Sequence, residues 1–295
     1  MKYKKEFVSA CLALFSASVI VACSDGDGDP VNADLRKLVD EQGLTGDPSL
    51  GRDLPDIADP KAQLGMQLFY TKALGGDLDS ACVTCHHPSL GGGDDLSLPV
   101  GVGAVDPDML GPGRLHDPAA DGYDGGPTVP RNAPTTFNVG LWDQTMFHDG
   151  RVESLGKTSL ANGDDGLGIH TPDVAFGVAD AQSGNNVPTA QARFPVTSVE
   201  EMRGVVYAGG ESNDQLRLRL QERLGNYGGG VGELDVNHWL PEFRIGFNDP
   251  DGTAEELITF ANIVEAIGEY ERSQEPFIEG GGQFRFVGVA AIAVS

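Results

Sequence analysis

The sequence predicts a mainly α-helical protein in which short helices are joined by long loops rich in glycine and proline. Three segments, 61–70, 212–225 and 253–272, place capping residues ahead of regularly spaced apolar residues, which is the pattern of a helix start. The 41 glycines and 18 prolines make up about a fifth of the 295-residue chain and predict many turns between these helices.

The first predicted helix begins after Asp59, a residue suited to the N-cap, and Pro60, which is tolerated at the first helical position. Apolar side chains then recur along one side. We expect this side to pack on a neighbouring helix or against a bound prosthetic group. The side comprises Leu64, Leu68 and Phe69.

The other two helices carry capping boxes. Ser212 with Gln215 starts one, which Gly225 is expected to stop, and Thr253 with Glu256 starts the other. Each box precedes an apolar stripe that predicts a buried face. The stripes are Leu216, Leu220 and Leu224 in the second helix, and Leu257, Ala261, Val264 and Ile267 in the third.

The first 22 residues predict a secretory signal of the bacterial lipoprotein kind, with a lysine-rich start, an apolar stretch at 7–21 and a small residue before Cys23. Cys23 would carry the lipid; ordinary cleavage nearby would instead leave it as a free thiol. Residues 23–55, rich in Asp, Gly and Pro, are predicted to be a flexible tether. Ser24 favours, by resemblance to such signals, an outer-membrane anchor on the periplasmic side.

The formal net charge of −24 argues against nucleic acid as a partner, because phosphate binding needs clustered Lys and Arg. With Cys11 in the signal and Cys23 lipidated, two cysteines remain in the folded part of an exported chain. Such a chain has no disulfide framework.

The two remaining cysteines stand in the stretch "SACVTCHH", where Cys82 and Cys85 precede His86. Zinc would need a second ligand pair, which this sequence lacks. A redox dithiol would favour a strand before the motif, whereas the preceding segment is helical. The interpretation we favour is haem c, with thioethers at Cys82 and Cys85 and His86 as the proximal iron ligand.

Five segments occur in an order that resembles the bacterial di-haem cytochrome c peroxidases and their MauG-like branch. They are "KAQLGMQLFYTKAL…SACVTCHHPSLGGG", "RNAPTTFN", "FHDGR", "QARFPVTSVEEMRG" and "ITFANIVEAIGEYERSQ", within residues 55–275. The resemblance implies a cytochrome c-like helical haem domain at 56–252, and a helix at 253–275 that opens a second haem domain. The second Cys-x-x-Cys-His of the family is missing, so we expect 276–295 to be an atypical tail of a truncated or frame-shifted chain. A terminal strand is the alternative.

The same resemblance implies roles for single residues. Glu201 is similar to the acid–base residue that acts on peroxide, and Gln191, ten positions earlier, to a residue that orients it. Asn132 falls where the family places a calcium ligand. His116 qualifies as a distal ligand, with an open, water-bound iron as the alternative, and His148 replaces a tryptophan of the family motif.

The predicted function is therefore that of a haem c peroxidase. It would reduce hydrogen peroxide with electrons from a donor such as a small cytochrome c, or use peroxide to oxidise a protein partner. The alternative is a mono-haem electron carrier without peroxidase activity, in which a methionine closes the sixth iron position. The candidates for that methionine are Met109, Met146 and Met202.

Overall fold

The computed structural model describes residues 30–44, 46–205, 210–273, 276–279 and 283–286. The chain divides into two compact units, residues 1–50 and 51–295. The predicted signal peptide at 1–22 and the lipid site at Cys23 lie outside the described residues. In the part that is described, no helix is both long and apolar enough to cross a membrane.

The first unit contains one described helix, α1 (Pro30–Glu41). It lies inside the segment 23–55 that composition predicts to be a tether. Its apolar residues, Val31, Leu35, Leu38 and Val39, follow the spacing of one helix face. The Asp- and Gly-rich flanks hide this spacing when composition alone is considered.

The second unit is mainly helical, which confirms the predicted fold class. Its helices are short and separated by long loops, as the glycine and proline content indicates. They are α2 (Pro60–Tyr70), α3 (Cys82–Cys85), α4 (Val187–Gln191), α5 (Asn213–Gly225), α6 (Trp239–Gly246), α7 (Ala254–Leu257) and α8 (Phe260–Ser273). A single π-helical turn covers Val199–Arg203.

A small antiparallel sheet closes a second apolar cluster beside α4. Its strands are β1 (Thr145–Met146), β2 (Val152–Ser154) and β3 (Ile169–His170), paired in that order. Met146, Val152, Ile169 and Phe194 are among the buried members of this cluster. A separate hairpin, β4 (Pro276–Glu279) and β5 (Gln283–Phe286), occupies the start of the predicted tail. Residues 287–295 lie outside the described part.

The main core forms where α2 packs along α8. Gly65 of α2 meets the carbonyl oxygen of Ala266 so closely that a methyl group there would lie under 3.0 Å from it. The two backbones therefore approach without an intervening side chain. Phe69 and Tyr270 then meet edge to face, with ring centroids 5.2 Å apart. The predicted apolar side of α2 thus packs on a helix, because Leu64, Leu68 and Phe69 all join this core.

The third predicted helix is interrupted, so the expectation of one helix over 253–272 is wrong. The capping box of Thr253 and Glu256 forms as expected, but α7 ends at Leu257 and Ile258 leaves the helical conformation. A new helix starts at Phe260, whose backbone N–H donates to Oε1 of Gln221 at 2.9 Å. This tertiary hydrogen bond and the full burial of Ile258 explain a break that the spacing does not indicate.

Two details of the helix ends, and one position on a helix face, also differ from prediction. Asp59 precedes α2, but its carboxylate accepts from Asp56 N–H instead of capping the helix. At the end of α5 the left-handed residue is Asn226, with φ 53°, so Gly225 is the last helical residue rather than the stop. Ala261 lies on the exposed side of α8.

The helix α8 belongs to the same hydrophobic core as α2, α5 and α6. The sequence assigns it instead to the opening of a second haem domain. No division of the core follows residue 252, and 51–295 form one compact unit. The assignment of 253–275 to a further domain stays a prediction.

A buried ion network ties the long segment 157–190 to α4 and α5. Arg193 pairs with Asp180 and, at 3.1 Å, with Asp173. Arg217 of α5 joins the same Asp173 at 2.6 Å. Burial alone would raise the pKa of Asp180, but hydrogen bonds from Thr171 and Arg193 hold it below its usual value. Two guanidinium groups that are almost fully buried are thereby neutralised.

Candidate functional site

The segment predicted to bind haem is a single helical turn that is supported by its own local hydrogen bonds. Cys82 and Cys85 open and close α3, and a spacing of three residues places their side chains on one side of the turn. Thr84 Oγ1 accepts from Ala81 N–H at 2.9 Å, and His86 N–H bonds to the Cys82 carbonyl at 3.0 Å. Both thiols are free.

His86 has the hydrogen bonds of a metal ligand. Its Nδ1 lies 2.9 Å from the Pro134 carbonyl oxygen and 3.2 Å from that of Gly92, so Nδ1 carries the proton and Nε2 keeps its lone pair. Metal-ligating histidines are oriented by such a bond to a backbone carbonyl. Burial lowers the pKa of His86, which favours the neutral imidazole that iron requires. The "RNAPTT" segment therefore orients the His86 ring through the Pro134 carbonyl.

Both thiols are in surroundings that favour the protonated form of the sulfur. Burial raises the pKa of both, that of Cys85 to about 12, and the neighbouring charges of Glu271 and Asp94 raise them further at Cys82 and Cys85 respectively. Haem c needs two cysteines that can form thioethers and one imidazole nitrogen as an axial ligand. Cys82, Cys85 and the Nε2 atom of His86 supply these groups. The residues present fit that group.

Glu201 lies in the π-helical turn Val199–Arg203. Burial raises the pKa of its carboxyl group, an effect that Arg151 opposes and Glu200 strengthens. The charge of Glu201 also contributes to raising the pKa of both Cys82 and Cys85, so this carboxylate lies within electrostatic range of the two thiols. Single π-helical turns occur frequently at functional sites.

The "FHDGR" segment contacts the "QARFPVTSVEE" segment through one aromatic pair, and a cation–π contact within "FHDGR" adjoins that pair. Phe147, held at φ 63°, packs edge to face on Phe194 with centroids 6.5 Å apart. The Arg151 guanidinium lies 3.5 Å from the Phe147 ring centroid. This stack directs a positive charge towards the Glu201 region. His148, between them in sequence, is exposed.

The remaining predicted site residues occupy separate places, and their roles stay predictions. Gln191 is the half-buried last residue of α4. Nδ1 of His116 lies 2.8 Å from the Gly126 carbonyl oxygen, and its Nε2 lies against Gly103. The Asn132 side chain donates through Nδ2 to the Leu96 carbonyl at 2.6 Å.

The three methionines proposed for a sixth iron position differ in their surroundings. Met109 is exposed, and Met146 lies in the second apolar cluster. Met202 is buried within the same turn as Glu201, and its carbonyl accepts from Gly76 N–H at 2.7 Å.

Several buried polar residues are not indicated by the sequence. Asp94 is 2% exposed, and burial raises its pKa. His170 is buried in β3. Arg114 is a buried cation in the glycine-rich loop. A charged residue in such a loop carries no local signal of burial, because its partners come from distant parts of the chain.

The fold and this site define a helical protein with a Cys-x-x-Cys-His turn whose donor set fits haem c, together with a half-buried carboxylate at Glu201. A family model described as di-haem cytochrome c peroxidase matches residues 59–277. The chain belongs to the di-haem cytochrome c peroxidase family, as the five ordered segments indicate.

Two curated relatives are considerably longer than the part that this chain matches. It is 32% identical over 213 residues to methylamine utilization protein MauG of Methylorubrum extorquens, covering 72% of this chain and 37% of the relative. It is 40% identical over 144 residues to cytochrome-c peroxidase IdrP1 of Denitromonas iodatirespirans, covering 49% and 30%. The chain thus spans well under half the length of these relatives.

Among solved structures, a MauG-like protein associated with microbial copper homeostasis is similar with a TM-score of 0.41 and 18% identity. That similarity covers 76% of this chain and 44% of the other.

Proposed function

We propose that this chain carries the peroxide-reacting haem of a peroxidase, with Glu201 as the acid–base residue. The observation that carries the proposal is the half-buried Glu201 side chain in the π-helical turn Val199–Arg203, where burial raises the pKa of the carboxyl group and its charge acts on the Cys82 and Cys85 thiols. Cleaving an O–O bond needs one group to take a proton from the inner oxygen and return it to the departing oxygen. A carboxylate with a raised proton affinity suits both halves of that transfer.

Different residues of the chain are proposed to bind haem, to tune the Glu201 pKa and to orient the Glu201 side chain. Cys82, Cys85 and His86 would hold haem c, which supplies the redox-active iron when bound. Arg151 would keep Glu201 able to release its proton, since its positive charge opposes the effect of burial on the Glu201 pKa. Gln191 is proposed to orient the same carboxylate through its amide group.

The proposed substrate and partners follow from the family. Hydrogen peroxide would be the oxidant, and a small cytochrome c or similar donor would return the electrons; oxidation of a protein partner is the second outcome within this function. The name of one relative, cytochrome-c peroxidase, supports peroxide as the oxidant. The Asn132 Oδ1 atom is proposed as a calcium ligand, since its Nδ2 already has a partner.

The chain is proposed to act on the periplasmic side, because haem c is attached after export. The lysine-rich start, the apolar stretch at 7–21 and Cys23 support a lipid anchor in the outer membrane.

The decisive experiment compares Glu201→Gln with Glu200→Gln in haem-loaded protein. Glu200 is exposed and adjacent, so it controls for charge in the same turn. Rapid mixing with peroxide, followed by haem absorbance, should show a reaction slowed ~10²–10⁴-fold in Glu201→Gln only. Equal rates in the two variants and the wild type would remove Glu201 from the reaction.

The same material tests the electron-carrier alternative. A low-spin oxidised spectrum with a methionine–iron band, combined with no reaction towards peroxide, would replace the peroxidase by a carrier. A high-spin spectrum with rapid peroxide reaction supports the proposal.

A further inference from the structure

We propose that Arg114 is a positioning residue whose guanidinium sets the spacing between the haem-binding helix and the Glu201 turn, acting through Gly101. The inference deepens the proposed function and rests on it only where catalysis is concerned. The geometry concerns three chain segments that are distant in sequence, at 79, 100–109 and 199–203. No motif joins them.

Arg114 is 2% exposed, and the hydrogen bonds found for it within the described chain go to backbone carbonyl oxygens. Nε donates to Val100 at 2.6 Å, and one terminal nitrogen donates to Gly101 at 2.7 Å. The other terminal nitrogen gathers three further carbonyls of the same loop, those of Asp106, Pro107 and Met109. The loop 100–109 therefore wraps around the planar guanidinium group of Arg114.

The same guanidinium reaches the start of the haem-binding segment. The terminal nitrogen that donates to Gly101 also donates to the Asp79 carbonyl at 3.4 Å, three residues before Cys82. Asp79 also contacts the loop directly, since its Oδ2 accepts a hydrogen bond from Gly103 N–H at 2.6 Å. The loop and the approach to α3 are therefore joined at two points.

Gly101 links the loop held by Arg114 to the Glu201 turn, because its backbone contacts that turn directly. A Cβ atom added to Gly101 would lie closer than 3.0 Å to the carbonyl oxygens of Glu200 and Glu201 and to Cα of Glu201. The two backbones are thus in direct contact, with no space for a side chain. Val102 N–H adds a long hydrogen bond of 3.4 Å to the Glu200 carbonyl.

On its other side the turn is held by the segment that precedes α3. Gly76 N–H donates to the Met202 carbonyl at 2.7 Å, and Asp77 Oδ2 accepts from Val205 N–H at 3.2 Å. The Glu201 turn is therefore enclosed between 76–77 and 101–102. Arg114 fixes the second of these walls relative to Asp79.

Amide hydrogen exchange of the haem-loaded protein tests this support without any reaction. Arg114→Lys keeps the charge but loses the fork, so peptides covering 79–86 and 198–205 should both exchange about tenfold faster, as for a lost hydrogen bond from a charged donor. Peptides in α5 should not change. Arg219→Lys, at an exposed position of α5, is the matched control and should leave both regions as in the wild type.

Gly101→Ala tests the same contact while leaving the arginine intact. The added methyl must displace the Glu201 backbone, and a misplacement near 1 Å typically costs ~10²-fold in rate. We expect the peroxide reaction to slow by that order and its pH profile to shift, with covalent haem retained by mass spectrometry. Gly126→Ala is the control, because an added methyl there meets nothing within 4 Å.

The outcomes separate the two proposals. If Arg114→Lys accelerates exchange in 100–114 but leaves 198–205 protected, or if Gly101→Ala leaves the pH profile and rate unchanged, Arg114 does not position the turn. If exchange responds as expected while Glu201→Gln reacts normally, the support is real and the assignment of Glu201 as acid–base residue fails.

Discussion

Glu271 provides a quantitative test of the core, through the substitution Glu271→Gln. This glutamate of α8 is 6% exposed, and its Oε2 has no hydrogen-bond partner among the described residues. Burial raises its pKa from 4.5 to about 8. The acid is therefore held neutral in the folded protein at pH values where it ionises in the unfolded chain.

The sign and size of the effect follow from proton linkage. Because the folded-state pKa is raised, the contribution of Glu271 to stability is fully present below the unfolded pKa. It is lost as pH rises towards 8. Each pH unit between the two values corresponds to about 1.4 kcal/mol. Between pH 5 and pH 8 the wild type should lose about 3 kcal/mol of unfolding free energy through this group, which Glu271→Gln cannot lose.

The assay is denaturant unfolding of the haem-loaded protein at pH 5, 6, 7 and 8, followed by far-ultraviolet circular dichroism. The difference in unfolding free energy between Glu271→Gln and the wild type should move in favour of the variant by about 3 kcal/mol across this range. Glu255→Gln, at an exposed position of α7, is the matched control and should follow the wild-type curve. Parallel curves for Glu271→Gln and the wild type would refute the buried, neutral state of Glu271.

Two further predictions concern stability. Asp180→Asn should lower the unfolding free energy by about 3 kcal/mol, because Arg193 would keep its buried charge with one carboxylate fewer; an unchanged denaturation midpoint would mean that the pair contributes nothing. Gly65→Ala should lower it by about 1–3 kcal/mol, because the methyl must push α2 away from the Ala266 carbonyl. Thermal melting should show the loss relative to Gly126→Ala, and equal melting temperatures would contradict the close helix approach.

Local signals in the sequence were sufficient for the capping boxes, although not for the Asp59 cap or the Gly225 stop. The capping boxes at Ser212 and Thr253 form as predicted, because both partners lie within one helical turn. The Cys82–His86 motif needs no tertiary information for the same reason. The break after Leu257 escaped prediction, because the group that caps α8 is Gln221, 39 residues before Phe260.

The candidate site shows the same division. Order and spacing of short segments were enough to place the chain in its family. The roles that these segments suggest for His86 and Glu201 stay predictions. Order and spacing could not indicate that Pro134 would orient the His86 ring, since a carbonyl oxygen is common to every residue.

The amino-acid sequence by itself determined the capping boxes at Ser212 and Thr253 and the predicted haem-attachment motif at 82–86, because these depend on side chains only a few positions apart. Only the tertiary structure decided that Asp94 and Glu271 are buried, and that Arg114 bonds both to the Asp79 carbonyl and to Gly101, which contacts the Glu201 turn. Burial and long-range hydrogen bonding depend on which backbone surfaces meet, and that is settled by packing across the whole core.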